Sequence, residues 1–77
     1  MSQYPPQQLN TEIIFVVEET PENSYTARAL GYSIYTEADT LPELRLMVRD
    51  AVLCHFDETD KPSLIRLHFV KQELIVV

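Results

Sequence analysis

The sequence predicts an α+β fold, in which an antiparallel β-sheet of four or five strands carries one helix on one of its faces, in the order βββαβ. Three observations support this prediction. Residues 40–56 have a full set of helix signals, three short strand-like segments precede them, and one or two strand-like segments follow them.

The predicted helix runs from Thr40 to Phe56 and begins with recognisable capping residues. The Thr40 hydroxyl is placed to accept a hydrogen bond from a free backbone N–H, and Glu43, three residues later, completes a capping box. Pro42 falls in the first turn, where its missing N–H is no loss. Residues at helical spacing define the stripe that we expect to face the sheet: Leu41, Leu44, Val48, Ala51, Val52 and His55.

Three strands are predicted before the helix. The first, Glu12 to Glu18, is apolar on both faces, which is typical of a central strand. A turn at residues 20–24 joins it to a second strand, Tyr25 to Leu30, as an antiparallel hairpin. Gly31 stands where a positive φ angle is expected, and a third strand follows from Tyr32 to Thr36.

One or two strands are predicted after the helix. Leu64 to Val70 alternates apolar and polar residues, as a strand with one buried face does. Leu74 to Val77 is too apolar for a free tail, so we expect either a fifth strand or an arm bound to another chain. Residues 1–11 have no periodicity and predict a flexible leader, so residues 12–77 form the single predicted domain.

Composition excludes several classes of function. The 77 residues contain twelve acids and six bases, a net charge of −6, which argues against a nucleic-acid binder and favours a small basic protein as a partner. No apolar run is long enough to span a membrane, so no membrane association is expected. Cys54 is the only cysteine and cannot form an internal disulfide, so we expect a cytoplasmic protein.

The sheet face away from the helix predicts self-association. It is expected to carry Ile14, Val16, Thr26, Arg28, Arg66, His68 and Val70. This surface has too much aliphatic area to remain in water, so we predict a homodimer or higher homo-oligomer. The predicted interface consists of Ile14, Val16, Arg28, Arg66, His68, Leu74 and Val76.

No residue pattern predicts catalysis, a metal or a cofactor. Cys54 and His55 are neighbours on the predicted helix, where they point about 100° apart and do not form a thiol and base pair easily. Together with His68 they match no compact zinc-ligand spacing. One glycine cannot form a phosphate-binding G-x-G-x-x-G turn.

Several segments resemble the HicB-like antitoxin family. They are Ser24-Tyr25-Thr26-Ala27, Gly31, and Asp39-Thr40-Leu41 with Glu43 leading into an Ala/Val-striped helix. The resemblance covers about residues 12 to 70 and implies a partial ribonuclease-H-like sheet with one helix. It also implies a protein that binds and blocks a small basic ribonuclease toxin. Many members carry a further DNA-binding domain, and no such extension follows Val77, so DNA binding is not expected.

We therefore expect a small non-enzymatic module that binds a protein, with the antitoxin role as its specific form. The alternative is an accessory subunit of a metabolic enzyme, with a site formed around His55 and Cys54 at an oligomer interface. The gene neighbourhood distinguishes these two readings, because an antitoxin gene is expected beside a short gene for a basic protein.

Overall fold

A computed structural model describes residues 11–71 and 73–77. The described elements follow one another as β1 (Glu12–Glu19), β2 (Tyr25–Ala29), β3 (Tyr35–Ala38), α1 (Leu41–His55) and β4 (Leu64–Val70). The strands form one sheet in the order β3-β2-β1-β4, with α1 packed on one face. The predicted α+β class is confirmed. The predicted leader lies outside the described residues except for Thr11, whose carbonyl accepts hydrogen bonds from Ser63 and Leu64.

The turn between β1 and β2 is organised by the Thr20 side chain. Its hydroxyl accepts hydrogen bonds from the backbone N–H groups of Glu22 and Ser24, at 3.3 and 3.2 Å. It also lies 2.7 Å from the Ser24 hydroxyl. Asn23 has a φ of +67°, a left-handed conformation that asparagine tolerates better than most residues. The turn composition therefore explains why β2 folds back antiparallel to β1.

The prediction for the third strand was wrong in position. β3 covers Tyr35–Ala38 rather than Tyr32 to Thr36. Gly31 has a φ of +84°, as expected, and the chain needs several residues after this turn before pairing resumes. Strand-favouring side chains at Tyr32 and Ile34 misled the prediction, because Ile34 is buried as part of the connection and not as part of a strand.

The helix begins and ends close to the predicted positions. The Thr40 hydroxyl accepts a hydrogen bond from the Glu43 N–H at 3.2 Å, and the Glu43 carboxylate accepts one from the Asp39 N–H at 3.4 Å. The second bond reaches one residue further back than a standard capping box does. At the other end, the Phe56 N–H donates to the Val52 carbonyl and closes the last turn.

The sheet is mixed, so the prediction of a wholly antiparallel sheet was wrong. β4 lies beside β1 and runs parallel to it, with Ile14 opposite Arg66 and Val16 opposite His68. The reason is the length of α1. Its 15 residues rise about 22 Å, close to the length of a seven-residue strand, and so return the chain to the end of the sheet where β1 begins.

Residues 73–77 belong to no strand in the described structure, so the prediction of a fifth strand within the chain was wrong. Leu74 lies near Thr20 and Pro21, beyond the end of β1. The four aliphatic side chains from Leu74 to Val77 are between 77% and 115% exposed. The alternative prediction, an arm bound to another chain, stays a prediction.

The core lies between α1 and the β2–β3 half of the sheet. Leu44, Val48 and Val52 form the buried stripe of α1. They pack in one cluster with alanines of the two strands and with larger residues of β1. The buried strand residues of this cluster are Ile13, Phe15, Val17, Ala27, Ala29 and Ala38. Short alanine side chains allow the helix to approach β2 and β3 closely.

We predict that Val48→Asp unfolds the protein. Val48 is 1% exposed, and an unpaired carboxylate there costs several kcal/mol against a total stability of about 5 to 15 kcal/mol. Thermal unfolding followed by circular dichroism measures the effect. Leu46→Asp is the matched control, because Leu46 is 63% exposed on the same helix and should change the melting temperature little. An unchanged melting curve for Val48→Asp would contradict this account of the core.

Candidate functional site

The face of the sheet opposite α1 presents one row of side chains from all four strands. Tyr35 of β3 lies opposite Arg28 of β2, Arg28 opposite Val16 of β1, and Val16 opposite His68 of β4. These residues alternate with the buried residues along β1, β2 and β3, and with partly or fully exposed inward residues along β4. We call this surface the open face. The predicted positions of Ile14, Val16, Thr26, Arg28, Arg66, His68 and Val70 on this face agree with the strand registers.

One end of the open face is acidic. The neighbouring row places Glu37 of β3 opposite Thr26 of β2, and Thr26 opposite Glu18 of β1. The Tyr35 hydroxyl donates a hydrogen bond to Glu37 at 3.4 Å. The pKa of the Tyr35 phenol is raised, first by partial removal from water and then by the negative charges of Glu37 and Glu18. The two carboxylates lie in one row on either side of Thr26, and Tyr35 lies beside Glu37.

An ion pair lies at the other end of this face. The Arg66 guanidinium of β4 donates two hydrogen bonds to the Glu12 carboxylate of β1, at 2.9 and 3.1 Å. The two residues are diagonal neighbours, since Glu12 lies opposite Leu64 and Arg66 lies opposite Ile14. The hydrogen bonds from Arg66 lower the pKa of the Glu12 carboxyl. Both groups are exposed to solvent, so the pair orients side chains more than it stabilises the fold.

The seven residues of the predicted oligomer interface divide between two surfaces. Five of them, Ile14, Val16, Arg28, Arg66 and His68, lie on the open face. Leu74 and Val76 lie outside the sheet, in the exposed segment after β4. Sequence patterns could not separate these two groups, because the position of residues 73–77 depends on how β4 ends.

The structure does not bring Cys54, His55 and His68 together. His68 lies on the open face, whereas Cys54 and His55 are at the end of the helix on the other side of the sheet. Among the described residues, no group of three or more His, Cys, Asp or Glu side chains is placed to hold a metal. The thiol of Cys54 is exposed.

The prediction that His55 belongs to the core stripe was wrong. His55 is exposed and packs in T-shaped geometry against Tyr32 and Phe56, with ring centroids 6.0 and 4.9 Å apart. Tyr32 and Phe56 contact each other in the same way at 5.1 Å. The buried stripe ends at Val52 because the last turn of α1 extends past the core. Helical spacing alone cannot show where a helix leaves the sheet.

Sequence reasoning missed a groove on the helix side of the sheet. α1 lies over β2 and β3, so the inward side chains of β4 are only partly covered, and Phe69 is 53% exposed. Two adjoining hollows of about 240 and 300 Å³ follow β4 and share Arg49 and Ile65. We call them together the helix–β4 groove. Its described lining includes Arg45, Val48, Arg49, Leu53, Lys61, Ile65 and Leu67. The placing of Arg45 and Arg49 off the apolar stripe was the only signal of this groove in the sequence.

Two curated proteins are similar to this chain. A UPF0150 protein of Archaeoglobus fulgidus is 60% identical over 52 residues, which are 68% of this chain and 77% of that protein. A UPF0150 protein of Thermotoga maritima is 42% identical over 66 residues, which are 86% of this chain and 93% of that protein. The chain belongs to the UPF0150 family. No family model and no solved structure matches it.

Membership of the UPF0150 family supports the expected family resemblance only in part. The two relatives are named UPF0150 proteins, and neither name mentions HicB or an antitoxin. In the described part of this UPF0150 chain, no helix has the length and apolar character needed to cross a membrane. The open face and the helix–β4 groove are therefore the two surfaces of this UPF0150 protein on which a function can be argued.

We predict that the purified protein contains no stoichiometric zinc and that Cys54→Ala leaves its melting temperature nearly unchanged. The reason is that the Cys54 thiol is exposed and takes part in no metal-ligand group among the described residues. Elemental analysis and thermal unfolding measure the two quantities. One tightly held metal ion per chain would overturn this prediction.

A second prediction concerns the pH dependence of the Glu12 and Arg66 pair. Because the pKa of Glu12 is lowered in the folded protein, its contribution to stability is present above the ordinary glutamate pKa of about 4.3 and is lost as the pH falls through the lower folded value. In Arg66→Met, the titration midpoint of Glu12, followed by NMR of its carboxyl carbon, should rise towards the ordinary value. Glu58→Gln is the control and should leave that midpoint unchanged. An unshifted midpoint in Arg66→Met would mean that the pair does not form in solution.

Proposed function

We propose that this UPF0150 protein is a non-enzymatic, protein-binding module of the HicB-like antitoxin type, and that it binds and blocks a small basic ribonuclease. The observation that carries this proposal is the open face, which combines a half-buried aliphatic centre with an acidic end. The resemblance of the Ser24 to Glu43 region to HicB-like proteins supplies the class of partner.

The centre of the open face offers apolar contact area. Ile14 and Val16 are only half-buried, although they lie on the central strand β1 with neighbours on both sides. A partner that covers them removes aliphatic area from water, worth about 25 cal/mol per Å² before the cost of association is subtracted. Apolar area of this kind supports affinity but does not select a basic partner.

The acidic end supplies that selection. Glu18 and Glu37 lie in one row on either side of Thr26, about 10 Å apart, and Tyr35 lies beside Glu37, so lysines or arginines of the partner would meet a carboxylate at each position and an aromatic ring at one of them. A carboxylate is a strong hydrogen-bond acceptor for arginine, and an aromatic face favours a cation above it. The net charge of −6 adds a long-range attraction that raises the rate of association with a basic protein.

Binding to the product of an adjacent short gene for a basic protein tests the proposal. That product should have ribonuclease activity, and an equimolar amount of this chain should abolish it. Calorimetry should give a dissociation constant that rises about tenfold or more in Glu18→Lys and in Glu37→Lys, which is about 1.4 kcal/mol or more. Asp50→Lys is the matched control, because it makes the same charge change on the exposed side of α1 and should have a small effect.

Two outcomes would contradict the proposal. One is a ribonuclease whose activity is unchanged at saturating concentrations of this chain. The other is an equal loss of affinity in Glu18→Lys, Glu37→Lys and Asp50→Lys, which would show that net charge matters and the open face does not. The accessory-subunit alternative would be favoured by a metabolic enzyme, encoded by a neighbouring gene, that binds this chain and loses its activity when this chain carries Cys54→Ala.

A further inference from the structure

The helix–β4 groove differs in charge from the rest of this acidic protein. Arg45, Arg49 and Lys61 line it, so half of the six lysines and arginines of the sequence lie on one surface. Among the described residues, no carboxylate lines either of its two hollows. The floor is aliphatic, formed by side chains such as Ile65 and Leu67. The groove therefore suits an apolar segment that also carries negative charge.

Interactions among the described residues do not explain why these cations lie together at the rim of the groove. Arg45 and Arg49 are four residues apart on α1, where like charges repel each other. Neither forms an ion pair with any carboxylate in residues 11–71 and 73–77, and the only ion pair of the Lys61 ammonium within these residues is with Glu58, at 3.5 Å. A negatively charged occupant of the groove would relieve this repulsion.

The edge of β4 is also free to pair. β4 is the last strand of the sheet, and β1 is its only partner strand in the described structure. Such an edge presents backbone N–H and C=O groups that can accept another extended segment. The groove and the edge follow the same strand, so one segment can use both.

The chain itself contains a segment of the required chemistry. Residues 73–77 read Glu-Leu-Ile-Val-Val, one acid followed by four aliphatic residues. These aliphatic side chains are almost fully exposed to water. In an extended conformation, alternate side chains point to the same side, so Glu73, Ile75 and Val77 can face a groove together. This segment, which we call the arm, matches the groove in both apolar character and charge.

The arm is poorly placed to fill the groove of its own chain. To return along β4 it would need a tight hairpin at Lys71-Gln72, and neither residue favours the positive φ angles of such turns. Leu74 instead lies beside Thr20 and Pro21, past the end of the sheet. An arm that continues beyond its own sheet is available to a second molecule.

We propose that the helix–β4 groove binds the arm of a second copy of this chain, and that two copies exchange arms to form a homodimer. The arm adds to the free edge of β4, Ile75 and Val77 contact Ile65 and Leu67, and Glu73, on the same side of the arm, approaches Arg45 or Arg49. These side-chain contacts lie on the helix side of the sheet, whereas open-face residues such as Val16 lie on the other side. The open face therefore remains available to another partner. The inference does not depend on the antitoxin role.

Sedimentation at micromolar concentration tests the dimer. The wild-type chain should have a dimeric mass, and the double change Ile75→Asp with Val77→Asp should give a monomer that keeps its helical circular dichroism signal. Leu46→Asp is the matched control, because it places the same charge on an exposed aliphatic position outside the groove, and it should remain dimeric. Val16→Asp on the open face should also remain dimeric.

Cross-linking identifies the site. In a Cys54→Ser background, an Ile75→Cys protein is mixed with a Leu53→Cys protein and treated with a short bis-maleimide. Linked pairs should form between the two proteins, and a Leu46→Cys protein should form few. A wild-type monomer would overturn the proposal, as would a dimer that survives the arm changes or dissociates in Val16→Asp. A single protein that carries both cysteines provides a further test. If it forms a link within one chain that dilution does not change, and no links between chains, the arm folds back on its own molecule and the proposal is wrong.

Discussion

The close packing of α1 on the β2–β3 half of the sheet is the constraint on which the rest of the structure depends. Leu44, Val48 and Val52 lie in one buried cluster with the alanines of those two strands. Because alanine side chains are short, the helix lies near the backbone of β2 and β3 and runs back along them. The chain then enters β4 beside the start of β1, which makes that pair parallel.

The same packing creates two surfaces of different character. Since one helix covers only part of one sheet face, the open face is left without a layer, and the inward side of β4 is left half covered. The open face has an acidic end at Glu18 and Glu37, and the groove has a basic rim at Arg45 and Arg49. Opposite charges on opposite sides of the sheet favour two different occupants that bind at the same time.

This arrangement fits a small protein that acts by contact. A domain of this size has limited buried area of its own, and the proposed exchange of arms would bury exposed aliphatic residues such as Ile75. The UPF0150 relatives establish the family, and the fold of a family does not by itself determine a function. We therefore propose protein binding from the chemistry of the two surfaces.

The sequence by itself determined the elements whose signals are local. The capping residues Thr40 and Glu43 located the start of α1, and the turn chemistry from Thr20 to Ser24 predicted the β1–β2 hairpin. The two-residue period of strand side chains, together with the apolar–polar alternation of β4, predicted which side chains share the open face. Each of these depends on residues within a few positions of one another, so their patterns can be read directly.

Only the tertiary structure decided the features that depend on where separate elements meet. The direction of β4 follows from the length of α1 matched to the sheet, and the exposure of His55 follows from where the helix extends past the core. The delayed start of β3 and the separation of the arm from the open face are of the same kind. Periodicity predicts which face of an element is apolar, but the packing of two elements together sets how much of that face is covered. For this reason the helix–β4 groove could not be predicted from the sequence.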